Sequence, residues 1–422
     1  MQVFKFGGAS VKDAEAVKNI SEILKQHAAM PTIVVVSAMG KITNKLEELV
    51  NAYFYKEGNT DTILNDIKSF HIHIIQQLFI NPNDAIYADV ENVFTEIAWG
   101  LEDELTQNYN FHYDQIVSQG EVLATKIISA YLNTIPLKNT WVDIRGIIQT
   151  DNTYREGKVN YELSETLVNT QLLPLFTNTN LVVTQGFIGG TSENYCTTLG
   201  REGSDYTAAL LAYFTNATHV TIWKDVAGVL NADPKYFKNT KKIDELTYHD
   251  AIELTYYGAS VIHPKTIKPL QNKNIPLYVK SFIKPSESGT VINNFENRSN
   301  ITTYIFKVNQ LLLSIQPKDF SFIAEDNLSA IFSLFNKYNV HANITQNSAI
   351  SFSVCVDYDV HKTTPLIADL QLQFKVLYNT NVELMTVRNY NPDIIKQLTQ
   401  DKIVIIEQRS RTTLQMVLSQ AE

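Results

Sequence analysis

The sequence predicts an α/β protein: a three-layer αβα sandwich with a mainly parallel central sheet, followed by tandem ferredoxin-like βαββαβ units. Three observations carry this. Apolar runs such as Ile33–Ser37 and Leu181–Ile188 are continuous rather than alternating, which suits strands covered on both faces. Helical patterns lie between them, so strands and helices alternate. Beyond Lys284–Thr290, a stretch bearing Pro, Ser and Gly, short strands and helices follow in a twice-repeated order.

The first strand is Val3–Phe6, and Lys5-Phe6-Gly7-Gly8-Ala9-Ser10 closes it. Val17, Ile20 and Leu24 then recur at helical spacing, and Ser10 with Asp13 three residues on has the form of a helix N-cap. Strand, glycine turn and helix together leave backbone N–H groups facing outward, where an anion is favoured. Lys5 adds a mobile positive charge. This predicts a phosphate cradle, although the two glycines fit a plain turn equally well. Ser37-Ala38-Met39-Gly40-Lys41-Ile42-Thr43-Asn44 follows the second strand. Two such loops at strand ends converge on one crevice; taken alone, this one is a plain connection with Thr43 as N-cap. Residues 52–115 are helical and polar, an insertion over one sheet edge that serves as lid or interface.

Glu121 in Ser118-Gln119-Gly120-Glu121 stands at a helix start. Strand Leu181–Ile188 leads to Leu199-Gly200-Arg201-Glu202-Gly203-Ser204-Asp205-Tyr206-Thr207. There Arg201 suits a bidentate grip on a carboxylate, Ser204 suits a cap for helix Tyr206–Phe214, and Asp205 lies in its first turn. Strand His219–Trp223 runs into a loop from Lys224 to Lys235, where Asp225 either faces a nucleotide or belongs to a surface loop. Helix Asp250–Tyr257 and strand Pro276–Lys280 complete this part. The tail reads as strands Ile301–Val308 and Leu311–Gln316, helix Leu328–Tyr338, strands Ala342–Asn347 and Ser351–Asp357, helix His361–Leu370 and strand Phe374–Tyr378. A partial second round follows: strand Val382–Arg388, a helix near Asp393–Leu398, and strands Ile403–Glu407 and Leu414–Leu418.

Bulk properties narrow the functional class. The 422 residues suffice for two or three domains, and 44% are hydrophobic, enough for a large core. The net charge of -9 and the lack of any basic block exclude a nucleic-acid partner. The two cysteines, Cys196 and Cys355, argue against a disulfide framework or zinc site and for a reducing compartment. Lys5 and Lys12 interrupt any signal-peptide pattern, and no segment is long and apolar enough to span a membrane. The expectation is a cytoplasmic protein.

Taken together, KFGGAS, SAMGKITN, SQGE, LGREGSDYTAALL, WKDVAGVLNADP and YYGASVIHPKTIKP resemble, in order, the signatures of the aspartate kinases of the amino-acid kinase superfamily. The resemblance implies a catalytic domain over residues 1–295 and a tandem ACT regulatory region over 300–422, its second module shortened. It implies transfer from ATP to L-aspartate, giving 4-phospho-L-aspartate and ADP, the first step toward lysine, threonine and methionine. Mg2+ is held mainly through the nucleotide phosphates. By the same resemblance Lys5, Gly7, Gly8 and Ser10 face the transferring phosphates, and Asp205 orients the catalytic lysine. Ser37, Thr43, Glu121, Arg201 and Ser204 hold aspartate. Lys224, Asp225, Leu230, Lys235 and Ser260 fall where the family binds ATP. ACT pairs imply a homodimer and a lysine or threonine effector near Ala342, Asn343 and Ser348. The chemistry agrees: a carboxylate nucleophile with a pKa of ~3.9 needs no general base.

Some positions depart from the family pattern. Glu202 replaces a glycine and is expected to point to solvent rather than compete for Arg201. Leu230 and Lys235 replace tyrosine and arginine, so adenine stacking weakens and a planar fork is lost. Ser260 replaces a lysine; Lys224, in place of threonine, either supplies the missing charge or is merely solvated. Asn343 replaces an acid. Two rival readings are a superfamily member acting on glutamate, acetylglutamate or uridylate, and a non-catalytic amino-acid sensor. SQGE and LGREGSD favour the aspartate branch, and retention of Lys5, Asp205 and Asp225 favours activity.

Overall fold

A computed structural model describes residues 1–259, 262–296, 301–319, 321–391, 395–396 and 398–420. They fall into two compact units. The first comprises Met1–Val229, Lys242–Ile252 and Ser260–Ser299; the second comprises Leu230–Lys241, Glu253–Ala259 and Asn300–Glu422. The short segments 230–241 and 253–259 thus group with the C-terminal unit, although the sequence alone places them with the N-terminal one.

The first unit is built on strands β1 (Gln2–Phe6), β2 (Thr32–Val36), β3 (Thr140–Val142), β4 (Leu181–Gln185), β5 (Ile188–Gly190), β6 (Cys196–Thr198), β7 (Val220–Lys224), β8 (Glu245–Thr247), β9 (Leu277–Ser281) and β10 (Thr290–Asn293). Its helices are α1 (Ala14–Gln26), α2 (Ile42–Tyr55), α3 (Thr60–Leu78), α4 (Ala85–Glu102), α5 (Tyr109–Val117), α6 (Gln119–Thr134), α7 (Tyr161–Leu167), α8 (Gly203–Thr215) and α10 (Pro264–Asn272), with α9 (Tyr248–Tyr256) preceding α10. Eight strands form one sheet in the order β3-β4-β2-β1-β7-β9-β10-β8. Every neighbouring pair is parallel except β9 with β10. The small pair β5 and β6 is separate.

Both faces of the central strand are covered, which is why its sequence does not alternate between apolar and polar in the usual way. On one face Phe4 meets His27 at the end of α1 edge-on at 4.9 Å, and Phe6 stacks on Trp223 at 6.0 Å. Lys5, between them, points to the other face, where α8 packs on β1, β2 and β7. Helix α6 packs on β2, β3 and β4.

Local details differ from the sequence expectation for physical reasons. Asp13, not Ser10, caps α1, its Oδ1 accepting the Ala16 N–H at 2.8 Å. Ser10 lies in a single 3-10 turn, and its hydroxyl donates to the Trp223 carbonyl at 3.3 Å. The run 181–188 divides into β4 and β5 because Phe187 adopts a left-handed backbone, φ +72°. Within the insertion, α3 and α4 pack on α1, α2 and α6 rather than over a sheet edge.

The second unit contains β11 (Thr303–Pro317), α11 (Glu325–Lys337), β12 (Ala342–Asn347), β13 (Phe352–Asp357), α12 (Val360–Gln373), β14 (Phe374–Arg388), β15 (Lys402–Arg409) and β16 (Thr413–Gln420). Its six strands form an antiparallel sheet, β12-β13-β11-β14-β16-β15. Two predicted strand pairs are each one long strand. The 301–308 and 311–316 segments join in β11, and the 374–378 and 382–388 segments join in β14, with irregular register between Lys307 and Leu312. The first half of β11 pairs with the second half of β14, which also pairs with β16; the second half of β11 also pairs with β13. Leu313, Ile315, Phe335, Val354 and Leu370 pack in the core of the β11–β13 half. The helix expected near 393–398 falls largely outside the described residues. Among the described residues no helix is long and apolar enough to cross a membrane.

Removing the α1 cap should cost about 1 kcal/mol of folding stability. Chemical denaturation of Asp13→Ala against the parent measures it directly.

Candidate active site

Parallel strands β1, β2, β4 and β7 end side by side, so the loops that follow them open on the same edge of the sheet. A cavity of about 630 Å³ lies there. The first two loops are joined backbone to backbone: the Gly40 N–H donates to the Gly8 carbonyl at 3.0 Å. A Cβ at position 8 would stand 2.7 Å from the Gly40 oxygen and 2.9 Å from the Ala38 oxygen, so only glycine permits this approach.

The cavity contains a cluster of three charged side chains. Lys5, 9% exposed, places its Nζ 2.7 Å from Asp205 Oδ1. Lys224 places its Nζ 3.8 Å from Asp205 Oδ2. Asp205, in the first turn of α8, is thus held between two ammonium groups, and its own side chain is only 3% exposed. Lys224 is half-buried and lines the cavity. Of its two readings, solvation alone does not describe this position.

Glu121 in the first turn of α6 lies in the same cavity and is 2% exposed. Its Oε1 accepts the Ala38 N–H at 3.1 Å, while Oε2 has no hydrogen-bond partner. Burial pushes its carboxyl up to about 8, against the opposing pull of the Ala38 N–H and the Lys5 charge. Arg201 is exposed on the cavity wall and makes no hydrogen bond or ion pair among the described residues. Ser37 and Thr43 line the cavity half-buried, and Ser204 lines it buried.

Two expectations about this loop are corrected. Ser204 does not cap α8: it is the second helical residue, and Glu202 holds the cap position with a left-handed φ of +54°. Nor does Glu202 turn to solvent. Its Oε2 accepts the His263 N–H at 2.8 Å, which fixes the turn without engaging Arg201. Thr43 likewise is the second residue of α2, behind Lys41, and is free to face the cavity.

Several predicted residues are not among those lining the cavity, although a Cβ at Gly7 would stand only 3.2 Å from Lys5 Nζ. Gly7 and Gly8 are half-buried, Ser10 is buried against Trp223, and Asp225 is exposed just past β7; none of these four lines the cavity. Leu230 and Lys235 belong to the second unit, Leu230 half-buried and Lys235 exposed. Ser260 lies outside the described residues. Ala342 and Asn343 stand on β12, and Ser348 follows it. The Asn343 amide is fully engaged: Oδ1 accepts from Lys307 Nζ at 2.9 Å, and Nδ2 donates to Gln310 at 2.8 Å and to Asp357 at 3.1 Å. Ser348 pairs with Ser351, oxygen to oxygen, at 2.7 Å.

Sequence reasoning missed Glu47, Tyr113, Arg155, Glu156, Phe187 and Thr198, all of which line the cavity. One signal was present. The tripeptide Arg-Glu-Gly occurs at 155–157 as well as at 201–203.

Residues 1–281 match the amino acid kinase family, and the chain belongs to it. Aspartokinases are among its relatives. Lysine-sensitive aspartokinase 3 of Escherichia coli is 31% identical over 389 residues, covering 90% of this chain and 84% of that one. Chloroplastic aspartokinase 1 of Arabidopsis thaliana is 32% identical over 371 residues, 84% of this chain and 63% of that longer protein. The crystal structure of E. coli aspartokinase III with aspartate and ADP superposes with a TM-score of 0.83 at 27% identity, covering 99% of this chain and 96% of that one.

Because Lys224 shares Asp205 with Lys5, Lys224→Met should lower kcat by about 10²-fold, the order expected for losing one preorganised charge at the transferring group. ADP release under saturating aspartate reads this out; an unchanged kcat would return Lys224 to the solvated reading.

Proposed function

We infer that the cavity is where this aspartate kinase transfers the terminal phosphoryl group of ATP to the side-chain carboxylate of L-aspartate. The observation that carries the reading is the set of charges lining one cavity: Lys5 and Lys224 around Asp205, together with Glu121 and Arg201. An aspartate zwitterion needs one acceptor for its ammonium and one cation for its α-carboxylate. Glu121 and Arg201 supply these, with Ser37, Thr43 and Ser204 as further polar groups. The side-chain carboxylate is already ionised and attacks without a base. The barrier is its repulsion from the triphosphate. Lys5 and Lys224 offset that repulsion and follow the charge that builds on the transferring group. Asp205 holds both ammonium groups in place before substrate arrives.

The same pairing decides how magnesium fits. Asp205 is engaged by both ammonium groups, so it is not a free metal ligand. Mg2+ would be held mainly through the nucleotide phosphates, where it would supply further charge neutralisation. Gly7, Gly8 and Ser10 are assigned to the phosphates, and Asp225 to the rest of the nucleotide. Catalysis is assigned to residues 1–295 and regulation to 300–422, acting as a homodimer in the cytoplasm. Support for a lysine effector comes from the E. coli aspartokinase III structure with lysine and aspartate, TM-score 0.82 at 27% identity. The engaged amide of Asn343 means that any effector ammonium competes there with Lys307.

The decisive assay traps the acyl phosphate as hydroxamate from ATP and aspartate, with and without lysine or threonine. No hydroxamate from aspartate would end this reading. Arg201→Ala should raise the aspartate KM about 10- to 100-fold, the equivalent of one lost charge-assisted bond, and leave the ATP KM nearly unchanged.

Glu121 makes a pH prediction with a definite sign. Below about pH 8 its buried carboxyl carries a proton in the empty site. An incoming ammonium favours the carboxylate, so binding must release that proton. The aspartate KM should therefore fall as pH rises toward 8 and level off above it. Glu121→Gln should bind aspartate more weakly and lose this slope, as measured by initial rates across pH 6 to 9 in roughly half-unit steps.

A further inference from the structure

The second Arg-Glu-Gly tripeptide places another guanidinium in the cavity. Arg155 has a left-handed backbone, φ +69°, a costly conformation for a non-glycine residue to hold without support. The support is Asp114, which is fully buried on α5. Its Oδ2 accepts the N–H of Arg155 at 2.8 Å and the N–H of Thr198 at 2.8 Å, and its Oδ1 accepts the Thr198 hydroxyl at 2.8 Å. One carboxylate thus ties the Arg155 turn to the strand that leads into Arg201.

Further contacts reinforce the join. The Gly157 N–H donates to the Thr198 carbonyl at 2.9 Å. A Cβ at Gly200, itself at φ +75°, would lie 3.3 Å from the Arg155 carbonyl oxygen. The two arginine-bearing turns are therefore packed backbone against backbone. The Arg155 guanidinium lies over the Tyr113 ring, 4.1 Å from its centroid, a platform that favours a cation and limits its sweep. Its ionic partner, Glu47, is 3.8 Å away, and both side chains are about two-fifths exposed. Such a loose pair contributes little and exchanges readily for a better anion.

We propose that Arg155 is a second carboxylate-binding group for the amino-acid substrate, closing with Arg201 on the α-carboxylate. Arg155, Tyr113 and Glu47 line the same cavity as Arg201. The α-carboxylate is the fitting anion, because a guanidinium on the side-chain carboxylate would hold back the lone pair that attacks phosphorus. Asp114 is then a positioning residue for both arginines. This assignment rests on the reading of the cavity as an aspartate site.

The test is a cycle between Arg155 and the substrate's α-carboxylate. Wild type, Arg155→Ala and Arg155→Lys are compared on L-aspartate and on its α-amide, which lacks that charge; where the amide does not turn over, its inhibition constant is measured instead. The expected result for Arg155→Ala is an aspartate KM raised about tenfold or more, the loss of one charge-assisted contact, with the ATP KM within about twofold. On the α-amide the wild type and Arg155→Ala should differ little, and Arg155→Lys should fall between them on aspartate. An unchanged aspartate KM, an equal loss on both compounds, or a shift confined to ATP would overturn the proposal. Hydroxamate from aspartate with the wild type keeps the functional reading intact in each of those cases, so the two failures are distinguishable.

Discussion

The site depends on one buried carboxylate held between two ammonium groups. Asp205 is almost wholly removed from water, and an unpaired charge in that position would cost several kcal/mol. Lys5 at 2.7 Å and Lys224 at 3.8 Å from the other oxygen offset that penalty. Three elements must agree for this to happen. Strand β1 must present Lys5 on the α8 face, α8 must begin at Gly203 so that Asp205 falls in its first turn, and β7 must end at Lys224. The parallel register of β1 with β7 sets the last of these, since Phe6 stands opposite Trp223. The cations are therefore in position before any anion arrives, which is what electrostatic preorganisation requires.

Much of this was legible in the sequence, and the reasons are local. Continuous apolar runs exposed the buried parallel strands, and glycines next to strand ends marked the loops of the crevice. Asp205 was recognisable because a first-turn acid next to Arg-Glu-Gly is a short-range pattern. The errors share a different cause. Ser10 and Ser204 have the right chemistry for caps, yet Asp13 and a left-handed Glu202 take those roles, because tertiary contacts with Trp223 and His263 decide where each helix begins. Glu202 was judged by its neighbour in sequence, but its partner is 61 residues away. The repeated Arg-Glu-Gly tripeptide is the only sequence signal of Arg155, and it does not say what holds the residue. Its turn has meaning only once Asp114, 41 residues earlier, is known to hold it.

The two acidic residues on α5 and α6 divide the labour. Asp114 directs both of its oxygens to the backbone and hydroxyl groups of two turns and does not line the cavity, so it shapes the site from behind. Glu121 keeps one oxygen unpaired and lines the space directly. A buried polar oxygen left unpaired costs free energy in the empty protein, and a ligand that pairs with it recovers that cost. Between them they show how one helical layer supplies both the frame and the contact point.

The long strands β11 and β14 have an effect beyond this chemistry. Each gives one half of its length to either repeat of the C-terminal sheet. The repeats are therefore not separable beads. Cutting the chain between them would leave each fragment with half a hairpin and an open edge, so the two repeats melt together as one cooperative block.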